Sequence, residues 1–487
     1  MGVFMSGRPF LATVITLGCL AAFPSIAATD NAPLPADALA TATRLRDAGM
    51  AGSATDGSRA YDIVESLTTE IGERLAGTPP AERAVDWAKA KFKALGYDKV
   101  YTEPVTFPLW TRGHEDASVV SPYPQHLAIT ALGHSVGTNG PFEGDVVEFA
   151  NLDALKAAKP GSMDGKIAYI SYRMHRTRDG SGYGPAVMAR VAGPSIAGKL
   201  GAKALLIRSI GTDHERMPHT GILEYAGDAP KIPAAALSNS DADLLSNMLR
   251  RGAPVRVKLE LGGEMHGMVT SYNVIGEITG RTKPDEVVTI GGHLDSWDLG
   301  TGAIDDGAGV AITMAAGALL HQLHLRPQRT VRVIAYMDEE AGSFGGKAYA
   351  DAHLAQLKKH QLGAESDFGA ARIYALHAGV KDSAWPVIEQ IGQVLAPLGI
   401  VTEKNTADAD AGPDTGEFAA KGMAWAQLAQ DGTDYFDWHH TANDTLDKID
   451  PKALDQQVAA YAVLAYLAAE ARDSMGSGEM PLPKPEQ

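Results

Sequence analysis

Beyond about Tyr272 the chain alternates short β-branched runs with helical ones, and this alternation constrains the fold more than any other feature. EVVTIGG is followed by a helical stretch from Ala308, RTVRVIAYM by one near 345–357, and RIYALH by one near 384–395; WAQLAQ and a final helix over 451–471 close the series. Such repetition predicts an α/β fold with a mostly parallel central sheet and helices on both faces. In open sheets of this kind ligands collect at the carboxyl ends of the strands. The residues just after each run are therefore where chemistry is expected.

Upstream the pattern differs. Helices are expected over 61–71 and 81–95; in the second, Ala84, Trp87, Ala88, Lys91, Phe92 and Leu95 recur at three- and four-residue steps and Gly96 ends it. KVYTEPVTFPLW reads as a strand. From about 114 to 265 come short strands (DVVEFA, KIAYISY, AKALLIRS, PVRVKLEL), two helices near 195–200 and 241–249, and Gly- and Pro-rich loops. Nothing there has metal-ligand or nucleophile spacing, so it reads as an inserted α/β accessory domain. The expected plan is residues 1–27 as a leader, 28–113 and 266–474 as two parts of one domain, 114–265 as the insertion, and 475–487 as a frayed tail.

The leader is a secretory signal peptide in form. Arg8 precedes an apolar run from Phe10 to Phe23, and Pro24-Ser25-Ile26-Ala27-Ala28 offers small residues for cleavage. The run falls short of the ~20 residues that span a bilayer. A lipoprotein anchored through Cys19 fits less well, because Thr16 stands where leucine is wanted. The expected location is secreted or periplasmic. Cys19 is the single cysteine of the chain, so a processed chain must hold any metal with histidines and carboxylates. The later apolar stretches from Ala308 and Val458 are too short to span and read as core helices, leaving no membrane association after processing. With 59 acidic against 43 basic residues, the charge balance opposes nucleic-acid binding.

The strand ends carry a constellation. His293, with Asp295 two residues on, follows EVVTIGG; Asp305 and Asp306 lie in GAIDDGAG before a helix; Asp338, Glu339 and Glu340 follow RTVRVIAYM; Asp367 lies in AESDFG; His439 and His440 lie in WHHTANDT. Singly these are ordinary: paired carboxylates are usually solvated, and an acidic residue before a helix is usually a cap. Gathered on one rim they would repel one another unless cations compensate, and histidine with carboxylate is a suitable zinc donor set. His321 and His324 sit three apart on a helix but lack acidic company and read as a surface helix end. No G-x-S-x-G elbow accompanies Ser296 or Ser343, which argues against a serine hydrolase.

The strings GGHLDSWDLGTGAIDDGAG, DEEAGSFGG, ESD and HHTANDT resemble the co-catalytic zinc exopeptidases, the family of bacterial leucyl aminopeptidases and glutamate carboxypeptidases. The likeness spans nearly all of the chain after the leader, including IGERLAGTPPAERAVDWAKAKFKALGY and a protease-associated domain matching 114–265. It implies two zinc ions. His293 and Asp367 bind one, Glu340 and His440 the other, and Asp305 bridges them. Glu339 is the implied general base and Asp295 orients the His293 ring. His439 is expected either to contact substrate or the oxyanion or to serve a structural role beside the site. The implied reaction is hydrolysis of dipeptides or short peptides by metal-activated water. An aminopeptidase on longer peptides is the alternative, followed by an acyltransferase of the glutaminyl-cyclase kind using one zinc. The resemblance also implies a homodimer. Asp338 stands where a small or hydroxyl residue is expected and should raise the pKa of Glu339; KKHQLGAE, before Asp367, looks less strand-like than the family pattern.

Overall fold

The computed structural model describes residues 1–2, 32–52, 59–404 and 409–480; the leader expected over 1–27 lies, but for its first two residues, outside them. Eight strands form one sheet: β1 (Lys99–Thr111), β10 (Glu264–Ile278), β11 (Lys283–His293), β12 (Arg329–Tyr336), β13 (His360–Glu365), β14 (Ile373–Gly379), β15 (Val401–Thr402) and β16 (Trp425–Gln430). Their order is β1-β10-β12-β11-β13-β16-β14-β15. The expectation of a mostly parallel sheet is corrected: β12, β11, β13 and β16 run parallel, whereas β1 and β10 are antiparallel to their neighbours and β14 is antiparallel to β16. The parallel centre is what the strand–helix alternation recorded. The antiparallel edge arises because β1 and β10 form a hairpin interrupted by some 150 residues, a pairing that local periodicity does not carry.

Both faces are covered. Val274 and Val333 pack into a cluster with Val310, Ile312 and Tyr461, while the adjacent Ile275 and Ile334 point the other way, to Tyr349 and Phe418. Period-two alternation thus splits one strand between two cores. The first face carries the helices Ala308–Gln322 and Pro451–Glu470, and the second carries Phe344–His353 and Pro413–Ala419. Burying a Val or Ile side chain contributes about 1.5–3 kcal/mol, so these layers fix the strand ends firmly. The span Ala303–Gln322 reaches membrane-crossing length and apolarity only when the turn Ala303–Gly307, non-helical at Asp305 and Asp306, is counted with the helix; its most apolar window is 94% buried in the protein, as expected of a core helix.

The remaining strands are β2 (Glu115–Ser121), β3 (Gln125–His126), β4 (Ile129–Ala131), β5 (Phe142–Phe149), β6 (Ile167–Ile170), β7 (Ala204–Arg208), β8 (Ala234–Leu237) and β9 (Arg256–Leu261). They form a second sheet, β3-β2-β9-β5-β6-β7-β8-β4, parallel only from β5 to β8. The chain leaves the first sheet where Thr111 pairs with Glu264 and enters the second where Glu115 pairs with Leu261. A helix Tyr183–Val191, not anticipated, precedes Gly193–Lys199 in this segment.

KKHQLGAE, read as weakly strand-like, holds β13, buried along its whole length between β11 and β16. The tail is also firmer than expected as far as it is described: Met475 and Ser477 are buried, and Ala424 N–H donates to Ser477 Oγ at 2.8 Å.

Candidate metal centre

Four neighbouring parallel strands deliver the centre at their carboxyl ends. His293 ends β11; Asp338–Glu340 follow β12; Asp367 follows β13; His439 and His440 follow β16 after the short helix Tyr435–Trp438. Asp305 lies in the tight turn Ala303–Gly307 that opens the helix Ala308–Gln322. The geometry centres on Asp305. One of its oxygens, Oδ1, lies 3.1 Å from His293 Nε2, and the other, Oδ2, lies 3.2 Å from His440 Nε2. His293 Nε2 is also 3.5 Å from Asp367 Oδ1 and 4.0 Å from Glu339 Oε2, while His440 Nε2 is 2.9 Å from Glu340 Oε2. All five residues expected as ligands, and the expected base, are therefore gathered around one carboxylate.

Donor atoms about 2.0–2.2 Å from a tetrahedral zinc stand about 3.3–3.6 Å from one another, which is close to the spacing of the His293, Asp305 and Asp367 atoms and of the His440–Asp305 pair. Asp305 Oδ2 and Glu340 Oε1 are buried and accept no hydrogen bond. Orphaned carboxylate oxygens are costly in an interior and are satisfied by a cation. The residues present thus fit a zinc pair bridged by Asp305.

The adjacent acid is turned away. Asp306 Oδ2 accepts His293 N–H at 2.9 Å and its Oδ1 accepts Gly309 N–H at 3.1 Å, which makes it the cap of the helix and a strut for His293. The Asp305–Asp306 peptide is cis.

Electrostatics follow from the crowding. Burial alone would lower the pKa of His293, but Asp367, Asp295 and Asp305 more than offset it and hold it well above the ordinary value. Burial likewise opposes charge on His440, yet Glu340 and Asp305 raise it to about 10. Asp305 is penalised by burial but held well below the usual carboxylate range by His293, His440 and His439. Glu339 is pushed well above its usual range, chiefly by burial, with Asp367, Glu340 and Asp414 adding to it. Asp338, expected to supply that push, is itself raised well above its usual range by burial and by Asp295, Asp414 and Glu340. Its φ of +66° holds the turn that presents Glu339.

Asp295 acts differently from expectation. His293 Nδ1 lies 3.1 Å from the Asp295 backbone carbonyl, which orients the ring; the Asp295 carboxylate oxygen is 3.7 Å from it. The carboxylate accepts instead the backbone N–H groups of Asp338 and Glu339, at 2.7 and 3.2 Å. His439, expected to face substrate or to serve a structural role, is 6% exposed, stacks on His440 with centroids 3.5 Å apart, and has Nε2 3.6 Å from Asp305 Oδ2. It therefore shares the cage wall with His440. His321 and His324 lie exposed at the end of their helix.

Two residues not singled out from the sequence support the centre. Asp444 accepts the N–H groups of Ile304 and Asp305, at 2.6 and 3.1 Å, and fixes the bridging turn; burial, with the Asp305 charge, raises it to about 7. Arg74, fully buried, donates to the carbonyls of Leu294, Thr301 and Gly302, at 2.5, 2.6 and 2.8 Å. It ties the turn after His293 to the turn before Asp305 and sets a positive charge beneath the carboxylates. Both lie in strings that carry the family resemblance, Arg74 in IGERLAGTPPAERAVDWAKAKFKALGY and Asp444 in HHTANDT, without a residue role attached to either.

Residues 273–465 match the family model described as Peptidase family M28. The chain is 36% identical over 421 residues to carboxypeptidase Q of Bos taurus, covering 86% of this chain and 87% of that protein. The crystal structure of a peptidase M28 precursor from Shewanella amazonensis SB2B superposes with a TM-score of 0.87 at 49% identity, covering 92% of this chain and 99% of that one. BSAP, a zinc aminopeptidase from Bacillus subtilis, shares the fold with a TM-score of 0.60 at 19% identity, covering 86% and 98% of the two chains.

Proposed function

The chain belongs to peptidase family M28 and is a metallo-exopeptidase; from that premise we propose that it is a secreted enzyme that hydrolyses dipeptides or short peptides with two zinc ions and Glu339 as general base. The observation that carries this reading is the bridging posture of Asp305, one oxygen toward His293 and the other toward His440. His293 and Asp367 would hold one ion and His440 and Glu340 the other, with Asp305 within reach of both. When bound, such a pair would supply Lewis acidity, polarising the scissile carbonyl and lowering the pKa of a water toward about 7.

The protein's own groups do the rest. Glu339 is 17% exposed at its side chain, beside but outside the closest donor contacts, so it reaches solvent and cage together. Its carboxylate, 4.0 Å from His293 Nε2, is placed to accept the water proton and to pass a proton to the leaving amine nitrogen. Asp295 holds the base in place through the peptide N–H groups of the Asp338 turn.

Residues 114–265 are read as a protease-associated insertion, supported by their separate sheet and by a core of their own around Leu127, Leu206, Leu245 and Val257. Export rests on the leader composition of residues 1–27, and the homodimer on resemblance. Similarity to carboxypeptidase Q favours release of a C-terminal residue, and similarity to aminopeptidases keeps the other terminus in play.

A panel of free, N-blocked and C-amidated dipeptides and of tripeptides, with and without chelator and re-added zinc, tests the reading. Chelator-sensitive cleavage of free dipeptides supports it. Cleavage of C-amidated and longer peptides in preference to free dipeptides would establish the aminopeptidase instead, and full hydrolysis in chelator would refute both.

A further inference from the structure

The turn that carries His440 is held from outside its own sheet. His440 has φ +62°, a left-handed conformation that a non-glycine residue keeps only when its surroundings over-determine it. Three hydrogen bonds to the inserted segment do so. Thr220 N–H donates to the His440 carbonyl at 3.0 Å, His440 Nδ1 faces the Thr220 carbonyl at 3.3 Å, and His219 Nδ1 faces the His439 carbonyl at 2.7 Å.

His219 is anchored in turn. Its Nε2 lies 2.8 Å from Asp213 Oδ1, and both side chains are buried, with 1% and 4% exposed. Asp213 also accepts Asn239 Nδ2 at 3.0 Å and Glu215 N–H at 2.8 Å. Both ring nitrogens of His219 are therefore engaged, one by the Asp213 carboxylate and the other by the His439 carbonyl. A buried pair of this kind costs desolvation that ordinary packing would avoid. Among the described residues, the hydrogen bond that this pair makes outside the insertion goes to the His439 carbonyl.

We infer that Asp213 and His219, in the loop between β7 and β8 of the inserted segment, are positioning residues for the His440 half of the metal centre. The insertion is thereby part of the centre: without it, His440 loses the acceptor for Nδ1 and two of the bonds that hold its backbone. Glu340 is fixed by its own turn, where its N–H faces Asp295 Oδ2 at 3.4 Å, and among the described residues the side-chain hydrogen bonds and ion pairs of His293 and Asp367 go to Asp295, Asp305, Asp306 and Glu339 or to each other. This inference rests on the two-zinc reading above. Partners of ligating histidines typically change metal affinity by about 10–100-fold when removed.

The test uses zinc-depleted full-length protein, titrated with cobalt, followed by visible absorption and competed with zinc. Six chains are compared: the parent, His219→Ala, His219→Asn, Asp213→Asn, Glu340→Gln and Asp367→Asn. In His219→Ala one of two equivalents is expected to weaken about 10–100-fold while the other is unchanged. The weakened equivalent should be the one that Glu340→Gln removes, not the one that Asp367→Asn removes. His219→Asn keeps a donor at the Nδ1 position and should recover most of the loss; Asp213→Asn should fall between. If His219→Ala does not fold, the two near-isosteric variants carry the same comparison. Parent-like binding of both equivalents, equal weakening of both, or selective loss of the Asp367 equivalent would each overturn the inference. A parent that takes up no metal would instead sink the two-zinc reading.

Discussion

The Asp295 carboxylate accepts the backbone N–H of Asp338 at 2.7 Å, joining the turn after β11 to the turn after β12. Two residues past one metal donor, the chain thus grips the turn that carries the base and a second donor.

Removing the grip should separate binding from chemistry. Asp295→Ala is expected to lower kcat by about 10–100-fold with a small change in KM, since it displaces Glu339 without touching substrate. Steady-state kinetics alongside metal analysis check this. A KM effect with unchanged kcat would contradict it.

Arg74 should matter for stability more than its place in a loop suggests. Arg74→Met strands the carbonyls of Leu294, Thr301 and Gly302 in the interior. The expected cost is on the order of 3–5 kcal/mol, read by denaturant unfolding of the zinc-loaded protein. A loss under about 1 kcal/mol, within the range of an ordinary substitution, would show that the turns hold themselves.

The sequence disclosed the centre more fully than its supports. His293, Asp305, Glu340, Asp367 and His440 stand at strand ends or in the loops after them, where position marks them together with Asp306, Asp338, Glu339 and His439, and the family resemblance picks the five from that set. Arg74 and Asp444 are ordinary polar residues in turns, and their role lies in bonds to peptide groups more than 130 positions away, which no local pattern encodes. Strand direction was half legible for a similar reason. The helical crossovers of β11, β12 and β13 announce parallel neighbours, whereas β1 and β10 meet across the whole insertion. β13 was underrated because Lys358 and Lys359 precede it; the strand begins only at His360. Asp295 was placed correctly beside His293, but its carboxylate serves another turn.

Acidity offers an independent check. Asp306, Asp338, Glu339 and Asp414 are all raised well above the usual carboxylate range by burial first, and Asp444 is raised to about 7. Without metal the folded protein keeps protons that the unfolded chain releases above about pH 4, so this contribution is complete below that pH and is lost as pH rises through neutrality. The raised His293 and His440 act in the same direction, and Asp305, held low, in the opposite one. Zinc replaces those protons. Melting temperatures with and without chelator should therefore differ more at about pH 8 than at about pH 5.5, and zinc binding should release protons in calorimetry. A gap that narrows with rising pH would contradict this.

Glu339→Gln should leave zinc content unchanged and lower kcat by at least about 100-fold, because the amide cannot take the proton from water. Loss of metal in this variant would make Glu339 a ligand and leave the base unassigned.

The bridging role of Asp305 is tested most directly by counting zinc per chain in the purified protein and in Asp305→Ala. Two ions in the parent, with the variant losing affinity for both together with activity, is the result expected of one carboxylate shared between His293 and His440. Two tightly held ions in Asp305→Ala, or a parent that takes up none, would contradict it.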